Sequence, residues 1–135
     1  MPSTDSPNYS NDPFAQAYPE TLPFWEAAEA GKLLLKTCTD CGKAHWYPRI
    51  ICPLCRSSNT TWGDASGRGT VYSYSIAERA DPPYVLAWVK LDEGPILITN
   101  LVDCDHGAIK IGMEVHARFE TSDTGRKVPV FAPRP

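Results

Sequence analysis

From Thr70 to the C-terminus, hydrophobic and polar positions alternate in short runs of strand length. Val71 to Glu78, Tyr84 to Leu91 and Ile96 to Val102 are rich in β-branched and aromatic residues, the composition of a pleated, half-buried surface. Asp81-Pro82-Pro83 separates the first two runs, and Asp92-Glu93-Gly94-Pro95 reads as the turn of a hairpin between the second and third. A longer connection, 103–112, has room for one helical turn. Two further strands follow, Glu114 to Thr121 and Lys127 to Phe131, linked through Asp123-Thr124-Gly125. Five short strands with the long connection after the third fit a Greek-key barrel of the OB type, and the spacing alone admits other small barrels equally.

Upstream the period changes. Residues 23–30 hold strong helix formers, with Phe24, Ala27 and Ala28 on one face, Glu26 and Glu29 largely elsewhere, and Gly31 as a stop. Lys32 to Thr37 carries Leu33-Leu34-Leu35 and reads as a short strand. Residues 1–19 are rich in Ser, Pro, Asn, Asp and Tyr without an apolar period, which predicts a flexible arm whose deletion leaves the fold intact. The expected organisation is therefore an arm at 1–19, a helix and ribbon at 20–66, and a barrel at 67–135. Phe24, Trp25 and the Tyr9 to Tyr18 stretch lie outside any obvious core and are candidates for contact with a partner. For Trp25, docking of its helix between ribbon and barrel is an equal reading.

The chemistry is concentrated in Cys38-x-x-Cys41 and Cys52-x-x-Cys55. Each pair sets two thiols on one tight turn, and the ten intervening residues suffice for a hairpin that brings the turns together. Four thiolates so placed make the closed tetrahedral site that zinc prefers, with no position open to water or substrate. Gly42 follows the first pair, where a knuckle needs a residue tolerant of positive φ. Two disulfides or two redox pairs are the alternatives. Neither pair heads a helix in a βαβ unit, as a thioredoxin-like motif requires. No secretory signal opens the sequence, so a reducing cytoplasm is expected, with Cys104 as an unpaired thiol.

At 135 residues, 42% of them hydrophobic and 21% charged, the chain has the balance of one globular domain or two small modules. No apolar run approaches the ~20 residues of a membrane helix.

The chain resembles a family of zinc-ribbon plus OB-fold proteins associated with acyl-CoA metabolism, long catalogued as a domain of unknown function. The likeness rests on Phe24-Trp25, Cys38-Thr39-Asp40-Cys41-Gly42, Tyr47-Pro48-Arg49 and Cys52-Pro53-Leu54-Cys55. It continues through Gly67 to Tyr74, Leu91 to Pro95, Thr99 to Asp103 and Ile111-Gly112-Met113, in the family's order from about residue 20 onward. One departure is Tyr47, where the family often has proline before Pro-Arg. The resemblance implies a rubredoxin-like zinc ribbon, an OB barrel, and assembly with a thiolase-like enzyme acting on carbon–carbon bonds of CoA thioesters. Thiolysis, Claisen-type condensation and retro-aldol cleavage of steroid side-chain intermediates all belong to that range. The thiolase-like chain would hold the main catalytic groups, and the barrel would help form the passage for the CoA thioester's pantetheine arm.

The residues themselves agree with a helper. Acyl transfer needs a nucleophile, a base and an orienting group in one pocket. Cys104-Asp105-His106 is the most tempting cluster, but neighbours in sequence need not face each other. His45 could compete as a zinc ligand, although with four thiols placed it reads as an exposed hairpin residue, and His116 falls in a predicted strand. The rival class is a module binding single-stranded nucleic acid, with Tyr72, Tyr74, Tyr84 and Trp88 as a stacking platform. Eight Lys or Arg against nine Asp or Glu in 67–135, and a net charge of −3, argue against it. Aromatics alternating on barrel strands are more often core or interface. For the phosphates of CoA, Lys43, Arg49 and Arg79 are the candidate cations, each more commonly a solvated surface charge.

Overall fold

The computed structural model describes residues 12–134. It is mainly β. Two short helices, α1 (Pro13–Ala17) and α2 (Leu22–Glu29), are joined by a 3-10 turn at Pro19–Thr21. Strands β1 (Leu34–Cys38), β2 (Ala44–His45) and β3 (Thr60–Asp64) form a small antiparallel sheet in the order β2-β1-β3. Five strands follow: β4 (Arg68–Ala77), β5 (Tyr84–Leu91), β6 (Ile96–Leu101), β7 (Glu114–Thr121) and β8 (Lys127–Pro133). They close in the order β4-β5-β6-β8-β7. That order, with β8 inserted between β6 and β7, distinguishes an OB-type barrel from the other small barrels the strand spacing allowed.

The alternation seen in the sequence fixes the register. Val85, Ala87, Val89 and Leu91 of β5 point into the barrel and meet Leu97 and Leu101 of β6, Val71, Val115 and Phe131. A bulge between Val71 and Ser73 of β4 shifts the ladder, and Tyr72 stands outside. Gly69 sits where β4 meets β5. A Cβ there would lie 2.6 Å from the Lys90 carbonyl oxygen and 2.7 Å from Val89 Cγ1. Both neighbours are held by the barrel, so Gly69→Ala is expected to destabilise the protein by about 1–3 kcal/mol in urea unfolding.

Ribbon and barrel share one core. Leu33 and Leu35 of the ribbon, Phe24, Trp25 and Ala28 of α2 and the barrel interior form a single buried cluster. A ribbon of this size cannot bury enough apolar surface alone, and α2 supplies the joint. Phe24 (0% exposed) and Trp25 (4% exposed) are thus core residues, where the sequence had offered them as partner surface. Their rings meet edge to face with centroids 4.7 Å apart, and the Phe24 and Trp46 ring centroids lie 5.2 Å apart. For Trp25 the structure favours docking between the modules, and its indole N–H donates to Thr21 Oγ1 at 3.0 Å.

The expected arm needs correction as well. Residues 1–11, with Tyr9, lie outside the described residues, but residues 12–19 are packed. Asp12 caps α1 by accepting from the N–H groups of Phe14 and Ala15, and Ala15 is buried. Asp12, 2% exposed, also accepts from the Thr124 hydroxyl and pairs with Arg126 at 2.9 Å, clamping α1 to the β7–β8 turn. The Arg126 guanidinium in turn lies over the Trp25 and Phe14 rings, at 4.3 and 5.0 Å. The sequence missed this because the segment has no helical apolar period; one capping carboxylate and one small buried residue anchor it. A deletion of 1–19 therefore removes part of the fold, whereas a cut before Asp12 spares the clamp.

Burial by itself would raise the Asp12 carboxyl. The Thr124 and Arg126 donors and the Ala15 N–H outweigh it and hold it at about 2, below its ordinary 3.8. A depressed carboxyl contributes stability that is full above the ordinary value and lost as pH falls through the folded one. Between about pH 4 and 2 the wild type should thus lose stability more steeply than Asp12→Asn, as read by thermal unfolding across that range.

Candidate metal centre

The two Cys-x-x-Cys turns meet at the end of the ribbon sheet. Cys38 ends β1, and the first knuckle is a tight turn in which Gly42, at φ +73°, donates its N–H to the Cys38 carbonyl. The second knuckle repeats the geometry with Arg56 N–H donating to the Cys52 carbonyl at 2.8 Å. Asp40 ties the two together, accepting from Ser57 and Asn59.

The four Sγ atoms all lie within 4.8 Å of one another, with Cys38–Cys55 at 3.4 Å and Cys41–Cys52 at 3.9 Å. A tetrahedral site with Zn–S of ~2.3 Å needs S–S edges of about 3.8 Å, so the set suits zinc. Backbone N–H groups are already aimed at sulfur, Cys41 onto Cys38 Sγ and Leu54 onto Cys52 Sγ, each at 3.4 Å. The Cys41 N–H draws the Cys38 thiol down to about 7 against its burial. At Cys55 the Ser57 N–H pulls down, but the surrounding thiols and burial push it up to about 12. Four thiols this close resist losing their protons together, and a divalent cation removes that conflict. Disulfide pairing is not observed: all five cysteines are free thiols.

His45 is 4% exposed, not the exposed hairpin residue expected. It pairs with Lys36 across β1 and β2, and burial together with the Lys36 and Arg49 charges lowers its imidazole below the ordinary range. Among the described residues, the metal-capable cluster comprises the four cysteines and no histidine.

The other candidate residues are dispersed among the described residues. Cys104 is half-buried, and burial with the Asp105 charge raises its thiol, the opposite of an activated nucleophile. Asp105 instead caps the 3-10 turn His106–Ala108 through the Gly107 N–H, and no hydrogen bond joins Cys104 to His106 among the described residues. His116 lies in β7 between Arg68 and Ala132. The three candidate cations are not gathered. Lys43 lines a cleft of about 510 Å³ between the first knuckle and the β5–β6 turn, Arg49 lines a separate one of about 490 Å³ beside Tyr18 and Ile50, and Arg79 lines neither. Of the aromatic group, Tyr74 is partly buried with its hydroxyl on the Ile109 carbonyl, whereas Tyr72, Tyr84 and Trp88 are exposed on the barrel's outer face.

A four-thiol ribbon sharing one core with a closed five-stranded barrel defines a zinc-ribbon and OB-fold protein. The rubredoxin-like zinc ribbon domain of ChsH2 matches residues 25–61, and the C-terminal OB-fold domain of ChsH2 matches 62–120. A DUF35 domain-containing scaffold protein of Methanothermobacter thermautotrophicus is 38% identical over 108 residues, 74% of this chain and 81% of that protein. The chain belongs to this DUF35, or ChsH2, family of zinc-ribbon and OB-fold proteins. A probable enoyl-CoA hydratase alpha subunit of Thermomonospora curvata is 38% identical over 116 residues, covering 82% of this chain. The chain spans only 36% of that relative's length. Among solved structures, a chain of an Ltp2–ChsH2(DUF35) aldolase superposes with a TM-score of 0.74 at 36% identity, over 84% of this chain and 93% of that one. No helix among the described residues is long and apolar enough to cross a membrane.

Proposed function

We propose that the chain is a non-catalytic, zinc-binding accessory subunit of a thiolase-like enzyme that makes or breaks carbon–carbon bonds in acyl-CoA thioesters, including steroid or aromatic side-chain substrates. The observation that supports this is the likeness, over 84% of this chain and 93% of the other, to a chain of an Ltp2–ChsH2(DUF35) aldolase. Cys38, Cys41, Cys52 and Cys55 would hold one structural Zn²⁺ as thiolates, fixing the knuckles without offering an open coordination position. The residues also fit a helper: Cys104 lacks an activating base, and no second nucleophile–base pair is in place among the described residues.

The surface suits a partner subunit. Ile50, Ile51 and Leu54 stand exposed on the second knuckle, and Tyr72, Trp88, Ile96 and Ile98 on the outer barrel. Large apolar side chains grouped in this way mark protein contacts more often than free surface. With its cations dispersed, the chain alone should bind free CoA weakly or undetectably in calorimetry, the thioester being held where barrel and partner meet. Free thiols and the proposed CoA chemistry are the support for a cytoplasmic setting in this reading.

The test is to purify the protein with the subunit it retains and assay thiolysis, condensation and retro-aldol cleavage of acyl-CoA esters. Activity is expected from the complex and not from this chain. Robust turnover by the chain alone would overturn the reading. A hydratase partner is the second reading, favoured by the name of the Thermomonospora relative, and hydration by the complex without carbon–carbon chemistry would select it.

A further inference from the structure

The barrel closes through a single weak seam. Strands β6 and β8 run parallel, and their register is limited to Leu101 opposite Phe131. The directions of the backbone groups follow from the flanking ladders. Leu91 N–H donates to the Pro95 carbonyl at 2.9 Å, so in β6 the odd-numbered residues face β5 and the even-numbered ones face β8. In β8, Ser122 N–H donates to the Arg126 carbonyl and Arg134 N–H to the Glu114 carbonyl, so even-numbered residues face β7 and odd-numbered ones face β6. Val102 N–H on the Phe131 carbonyl, at 2.8 Å, agrees with both.

Moving back along the seam, continued pairing would require the residue at 129 to donate its N–H to the Ile98 carbonyl. That residue is Pro129, which has no N–H. Its carbonyl accepts the Thr99 hydroxyl at 3.1 Å. The ladder therefore stops, and Ile96 and Ile98 turn their outward N–H and C=O groups to the open side of β6 with no register pair in β8. Beside them lies a groove of about 350 Å³, lined among others by Trp25, Trp46, Tyr47, Ile98, Asn100 and Val130. Ile98 is 52% exposed at its rim, and Ile96 and Trp88 extend the apolar surface beyond it.

We infer that this groove receives an extended strand supplied by the partner subunit, which adds to the open side of β6 and lays apolar side chains against Trp46 and Ile98. The inference rests on the partner reading above and says what the partner brings. Alternate backbone donors and acceptors at Ile96 and Ile98 ask for another strand's backbone, and the apolar rim asks for alternate apolar side chains. The chain's own residues 1–11 are a poor source. They contain two prolines and no Val, Ile, Leu or Phe. A second barrel offers the same groove, recessed between two strands, and a recessed edge cannot enter its like.

Hydrogen exchange on the full, zinc-loaded chain tests this, alone and with its co-purifying subunit. In the lone chain the Ile96 and Ile98 amides should exchange fast while Leu97 and Thr99, bonded to β5, are protected. In the complex the Ile96 and Ile98 amides should slow by at least about tenfold. Ile98→Pro removes an N–H that the β5–β6 ladder does not use. It should therefore keep zinc and Leu97 protection yet lose the complex, while Ile98→Val keeps all three. Should Ile98→Pro fail to fold, the exchange rates alone decide. Slow exchange in the lone chain would mean that the groove is closed by the chain itself or by a second copy, and would overturn the inference. Protection by free CoA alone would overturn it too, by making the amides of the pantetheine arm the occupant. A complex in which both amides stay fast removes this inference and leaves the partner reading standing. Failure to retain any subunit removes the partner reading and this inference with it.

Discussion

Cys52→Ser is expected to abolish stoichiometric zinc and melt the ribbon, the largest effect of any single substitution considered for this chain. Cys52 is fully buried, receives the Leu54 N–H on its sulfur, and sits 3.9 Å from Cys41 Sγ. A hydroxyl there stays protonated and cannot serve as the fourth thiolate. Zinc in small modules of this kind contributes on the order of 10–16 kcal/mol near neutral pH, as much as the ~5–15 kcal/mol by which whole domains are stable. The ribbon's Leu33 and Leu35 belong to the core it shares with the barrel, so the loss should also loosen that joint. Metal analysis should read about one zinc per wild-type chain and nearly none in the variant. Limited proteolysis should then cut between residues 38 and 62. Cys104→Ser, outside the cluster, should leave zinc unchanged. Acidification should act like the mutation, since protons compete with the metal for the thiolates and zinc affinity falls as pH is lowered. Folded, freshly purified wild-type protein without zinc would refute the assignment.

The parts legible in the sequence were those with a local signature. Alternation placed β5 and β7 at the observed residues, because strands with one face on a core repeat every two residues. Turn chemistry placed the β5–β6 hairpin, and the 3-10 turn at His106–Ala108 falls inside the expected connection. Cysteine spacing pointed to the metal cluster for the same reason, since ligands on one turn are neighbours in sequence. What stayed hidden depends on residues distant in sequence. Asp12 reads as one more polar residue of an arm until Thr124 and Arg126 fold against it, more than a hundred positions away. His45 reads as exposed because a two-residue strand carries no period. The open side of β6 is visible only once Pro129 is known to lie beside it, and a lone proline in a strand cannot announce which neighbour it fails.

Phe24→Ala should cost the lone, zinc-loaded protein about 3–5 kcal/mol in urea unfolding, a large share of a small domain's stability. The ring is fully buried, meets Trp25 edge to face with centroids 4.7 Å apart, and its centroid lies 5.2 Å from that of Trp46, which enters from the ribbon just after β2. Truncation to a methyl thus opens a cavity where helix, ribbon and barrel meet. Its walls cannot collapse easily, since Trp25 is held by its bond to Thr21 and by the Arg126 guanidinium above it. The variant separates two roles that an aromatic in an N-terminal helix can have. A partner contact would leave the lone chain's stability untouched and weaken only the complex. A core residue lowers the stability of the lone chain first, with the midpoint falling and the denaturant slope unchanged, because the native surface is much the same. A wild-type midpoint in the variant would return Phe24 to the surface and remove the joint between ribbon and barrel argued above.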